Sequence, residues 1–80
     1  GYKEQRELDG LPARIDTLER AAQALQDEIA APDFYSQPHD TVRATLERYQ
    51  TATRELEATV ERWGELEERQ AALRRTRDDA

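Results

Sequence analysis

The chain has no cysteine, so no disulfide braces it and no thiolate serves as nucleophile or metal ligand. No apolar run approaches the roughly 20 residues that a membrane span requires, and the start carries no signal-peptide pattern. The single histidine, His39, has no second histidine or any cysteine with which to share a metal. It reads as a surface residue near a helix start. No GxxxxGK[ST] loop is present, which excludes nucleotide binding by that route. A net charge of −6 argues against a general polyanion-binding surface but permits a local basic patch.

What the chain does contain is charge and helix formers. Charged residues make up 38% of it, and the mean hydropathy is −1.06. This is the composition of a long helical or coiled-coil segment. Seven residue pairs have numbers that add to 71: Leu8–Trp63, Leu11–Val60, Ile15–Leu56, Leu18–Thr53, Ala22–Tyr49, Leu25–Leu46 and Ile29–Val42. Within each half the spacing alternates three and four, the seam of a coiled coil. A constant sum requires the second half to fold back antiparallel on the first. The fold class is therefore all-α, a two-helix antiparallel coiled-coil hairpin, expected to be a monomer. In this register Tyr49 and Trp63 are core residues before they are stacking platforms.

Proline sets the expected boundaries. Pro12 lacks an N–H, and its ring opposes the Leu8 carbonyl in a continuous helix; Gly10 weakens the same stretch. Tyr2, Gln5, Leu8 and Leu11 recur every three residues, the period of a 3₁₀ helix. The reading is a 3₁₀-like lead-in over 1–10, a first helix over 11–31, a tip over 32–37 and a second helix over 38–74. A frayed tail over 75–80 completes the single domain. The tip is expected to hold a short helical turn, with Phe34 or Tyr35 capping the seam.

A two-helix hairpin offers no cleft to shift carboxylate pKa values, so catalysis by this segment is not expected. Glu57, Glu61, Glu65 and Glu68 read as a solvated acidic face, with Glu65–Arg69 and Asp16–Arg20 as i,i+4 pairs. The basic residues are more informative: all but Lys3 of the twelve are arginine, suited to phosphate. Arg48, Arg62 and Arg69 share one outer stripe of the second helix, interrupted by Glu55. Arg74, Arg75 and Arg77 extend it toward the open end, where Lys3 and Arg6 also lie. These eight are the candidate nucleic-acid contacts.

Three stretches carry a family resemblance. Tyr2-Lys3-Glu4-Gln5-Arg6-Glu7-Leu8 followed by Leu11-Pro12, the tip Pro32-Asp33-Phe34-Tyr35, and Arg62-Trp63-Gly64-Glu65-Leu66-Glu67 occur in that order. Together they resemble the C-terminal domain of Uup-type ATPases of the ABC-F family, from Tyr2 to about Leu73. The resemblance implies a non-catalytic accessory domain with no cofactor of its own, in a cytoplasmic parent protein that binds ATP on two cassettes. It also implies binding to DNA or, through the wider family's work on ribosomes, to ribosomal RNA. The alternative is a protein-interaction or spacer arm that docks on the ATPase cassettes or on ribosomal protein.

Overall fold

Two of the three prolines mark element ends, and the third is absorbed. The computed structural model describes residues 1–79, in which α1 spans Tyr2–Ala30 and α2 spans His39–Asp79. Ala31 is extended, with φ −63° and ψ 140°, because the ring of Pro32 excludes helical geometry from the residue before it. Gln37, before Pro38, is extended for the same reason, at φ −74° and ψ 166°. Between them Phe34–Ser36 form a 3₁₀ turn. The Pro38 carbonyl accepts from the Val42 N–H at 3.1 Å, so the second helix starts on a residue whose missing N–H costs nothing there. Phe34 is fully buried at the tip and meets the Tyr35 ring edge-on, 4.8 Å between centroids.

The lead-in reading is corrected. Residues 2–10 are α-helical and continuous with the rest of α1, with Pro12 inside the helix. Proline removes one N–H and disturbs one carbonyl, a local cost of about 3 kcal/mol. Against that, Leu8 is buried before the disturbed turn and Leu18 after it, so apolar packing on both sides holds the geometry, with the Glu4 and Glu7 ion pairs to α2 adding a small surface contribution. Tyr2 does not join the core; it is 77% exposed. The frayed-tail reading also fails over residues 75–79, which continue α2. That stretch contains neither proline nor glycine, and Arg77 lies in the last turn, where a cation suits the helix dipole. Ala80 lies outside the described residues.

The axial register is kept, but α2 is turned about its own axis. Three ion pairs cross between the helices, Arg14–Glu55, Glu7–Arg62 and Glu4–Arg69, and their numbers add to 69, 69 and 73, straddling 71. The expected inner stripe Leu46, Thr53, Val60 is only half-buried at its first two positions and exposed at Val60. One heptad stripe beside it, Thr45, Ala52, Thr59 and Leu66, is buried or half-buried throughout. These are small residues except for Leu66, and they leave room for the buried Leu8, Leu18 and Leu25 of α1. Thr45 and Thr59 donate their hydroxyls to the carbonyls of Thr41 and Glu55 in their own helix, at 3.0 and 2.6 Å. A threonine satisfied in this way needs no partner across the seam.

The turn displaces the tryptophan. Trp63 is 37% exposed, while Leu66 is 1% exposed and holds the core position. Leu73 is exposed, since the Glu4–Arg69 pair already brings it level with the start of α1. The result is a rod of 64 × 17 × 14 Å, with no helix long and apolar enough to cross a membrane among the described residues.

Candidate nucleic-acid interface

Heptad spacing places Arg48, Glu55, Arg62 and Arg69 in one row beside the seam of α2. The facing row of α1 contains Glu7 and Arg14. Across the groove three members of the row, Glu55, Arg62 and Arg69, find an opposite charge on α1. Arg14 Nη2 donates to Glu55 Oε2 at 3.2 Å, which neutralises the acid that interrupts the stripe. Arg62 binds Glu7 in bidentate fashion, Nε to Oε2 at 2.7 Å and Nη2 to Oε1 at 3.0 Å. Its third donor, Nη1, reaches Glu65 Oε2 at 3.2 Å. Arg69 Nη1 donates to Glu4 Oε2 at 2.9 Å. The expected Glu65–Arg69 pair is thus replaced by Glu65–Arg62 and Glu4–Arg69, whereas Arg20–Asp16 forms at 3.0 Å.

These bonds set the electrostatics. The hydrogen bond from Arg62 holds the Glu7 carboxyl below its ordinary value of 4.5; desolvation opposes it, and the positive charges of Arg62 and Arg69 add smaller effects in the same direction as the bond. The same bond to Glu7 raises the Arg62 guanidinium further above its already high value. Two of the eight candidates, Arg62 and Arg69, are therefore committed to carboxylates.

The remaining six fall into two groups. Arg6 stacks over the Tyr2 ring, 5.7 Å from its centroid. Among the described residues, no carboxylate lies within 4.0 Å of Lys3, Arg6, Arg48, Arg74, Arg75 or Arg77. Arg48 borders a groove along the seam, over Leu18 and Leu25, where Ala21, Ala44 and Ala52 keep the surface low. Arg74 and Arg77 border a second depression with Leu73. The structure thus separates Arg48, in the middle of the rod, from Arg74, Arg75 and Arg77 at its open end. It does not gather all eight into one patch.

Arg14 was not among the candidates, yet it is part of the row. The register could have found it, since Arg14 and Glu55 sum to nearly the same number as the seam pairs. Arg54 also lacks a carboxylate within 4.0 Å among the described residues and lies off the stripe of Arg48, Arg62 and Arg69.

Known proteins give this geometry a context. Residues 1–68 match the family described as the ABC transporter C-terminal domain. Over 68 residues, 85% of the chain, the sequence is 47% identical to the ATP-binding protein Uup of Haemophilus influenzae, covering 10% of that protein. Over 66 residues, 82% of the chain, it is 44% identical to the ATP-binding protein Uup of Escherichia coli, again covering 10%. A solved C-terminal domain of the Uup protein, described as a DNA-binding coiled coil motif, superposes with a TM-score of 0.77 at 43% identity. That likeness covers 84% of this chain and 79% of the solved one. The chain thus spans about a tenth of the length of these curated relatives.

Proposed function

Because the chain belongs to the ABC transporter C-terminal domain family, we propose that it is a non-catalytic accessory module that attaches a cytoplasmic ATP-binding protein to nucleic acid. DNA is the first target, in keeping with the solved relative described as DNA-binding; ribosomal RNA offers the same phosphates. The observation that carries this reading is the set of arginines without carboxylate partners among the described residues, Arg48 together with Arg74, Arg75 and Arg77. Unpaired guanidinium groups can form bidentate bonds to phosphate without first breaking an ion pair. Arg62 and Arg69 contribute less, because each would have to leave a glutamate.

Shape argues for backbone contact over base reading. The hairpin is 17 × 14 Å in section, wider than the roughly 12 Å major groove. Only the end of α2, where it runs past α1 as a single helix of about 10–12 Å diameter, is slim enough to enter. Phosphate contact therefore dominates and sequence preference is weak. A salt series on a labelled duplex tests the reading. Replacing Arg74, Arg75 and Arg77 together by Gln should flatten the slope of log K against log[salt] by up to about 2.7, at roughly 0.9 per phosphate. An absence of DNA and RNA binding by the parent chain near 50 mM salt, roughly where such contacts are strongest, would overturn the proposal.

A further inference from the structure

The other flank of the seam is chemically opposite to the arginine row. There Pro12 and Ile15 of α1 and Val60 and Trp63 of α2 line a groove of about 340 Å³. All four are apolar. Two of them, Val60 and Trp63, are exposed large side chains, placed there by the turn of α2 that gave the core to Leu66. On a helix, the surface neighbours of a residue are those three and four positions away. Applied to these four residues, that rule reaches five ionisable side chains: Asp9, Asp16, Glu19, Glu57 and Glu67. Every one is a carboxylate, and all five are exposed. Among the described residues, Asp16 alone of the five has a cationic neighbour within ion-pair distance, the outward-pointing Arg20.

We infer that this groove is a docking site for a basic segment of a partner protein, one that carries lysine or arginine around an apolar anchor. Three features select that chemistry. The apolar floor takes an aliphatic side chain and excludes water from it. The indole of Trp63 offers a face to a cation, the strongest such platform among side chains. The rim of five carboxylates matches the charge of a basic segment and repels phosphate, so a nucleic acid is disfavoured on this flank. The two flanks would then engage different partners at once, and neither inference depends on the other.

Trp63 is the only tryptophan, so its emission reports on this groove alone. The probe is a short amphipathic Lys–Leu peptide, compared with a Glu–Leu peptide of the same pattern and with an oligothymidylate. The Lys–Leu peptide should shift Trp63 emission to the blue and saturate, while the other two leave it unchanged. Glu57→Lys with Glu67→Lys should weaken that binding about tenfold or more, as expected for charge reversal at a complementary rim. Glu28→Lys with Glu47→Lys, the same change in net charge near the tip, should weaken it by less than about threefold at moderate salt. The inference fails if the Glu–Leu peptide binds equally well, or if the tip pair weakens binding as much as the rim pair. It fails also if oligothymidylate shifts the emission and the peptide does not. A concentration-dependent blue shift of the free chain, matched by a doubled sedimentation mass, would assign the groove to a second copy and overturn it too.

Discussion

Glu4 and Glu7 restrain two arginines that nucleic acid would otherwise recruit, so removing their charge should improve binding. In the Glu4→Gln, Glu7→Gln double variant the carboxylates bonded to Arg69 and Arg62 at 2.9 and 2.7 Å are gone; Arg69 loses its carboxylate partner, and Arg62 keeps only the single exposed bond to Glu65. Each added phosphate contact steepens the salt slope by about 0.9, so the pair should add about 1.8. Between roughly 50 and 200 mM salt, a fourfold range, that extra slope corresponds to about a twelvefold change. The advantage of the variant over the parent should therefore be about twelve times larger at the lower salt. Fluorescence anisotropy of a labelled duplex over that range measures it, with Glu28→Gln, Glu47→Gln as a control of equal net charge. Thermal unfolding should shift only slightly, because the bonds lost are exposed. An unchanged slope in the double variant, or an equal gain in the control, refutes the idea that these pairs hold the arginines back.

Three further outcomes follow from the packing and the ion pairs. Leu66→Ala should cost about 3 kcal/mol, since the side chain is fully buried in the seam. That lowers the thermal midpoint by roughly 12–24 °C, and a larger loss for Trp63→Ala than for Leu66→Ala would contradict the assigned core. Gly64→Ala should stabilise by about 0.5–1 kcal/mol, because a Cβ there meets nothing within 4 Å; denaturant midpoints check this. In an NMR pH titration Glu7 should titrate below 4.5, and Arg62→Gln should return it toward that value. A depressed carboxyl stabilises the fold above its ordinary pKa. The Glu7 contribution should therefore be complete at neutral pH and disappear as pH falls below 4.5 through the lower folded value.

The hairpin was legible because its two apolar stripes are long and their spacings match, and a constant sum leaves little freedom in axial register. The orientation of α2 was not. Leu46, Thr53 and Val60 look more apolar than Thr45, Ala52 and Thr59, so residue type alone favours the wrong stripe. What decides is fit against Leu8, Leu18 and Leu25, where small side chains and self-satisfied hydroxyls allow the helices to approach. A helix also drifts by about 20° per heptad relative to a strict repeat, so an error in phase grows toward residues 60–66. That is where Trp63 was misplaced. Pro12 failed for a different reason: local propensity spoke correctly, but the burial of Leu8 and Leu18 on either side outweighed it. At the candidate interface, residue type identified the arginines. Knowing which of them are already occupied required the cross-helix partners.

The thinness of the rod determines how its association state must be measured. Its radius of gyration is 18.3 Å, whereas a compact domain of 80 residues would have about 12 Å. A sphere-like protein with the observed radius would contain roughly 260 residues by the same scaling. On a gel-filtration column a lone copy would therefore elute ahead of its mass. Early elution carries no information about self-association here; light scattering or sedimentation equilibrium, which weigh the particle without assuming its shape, are the measurements that do.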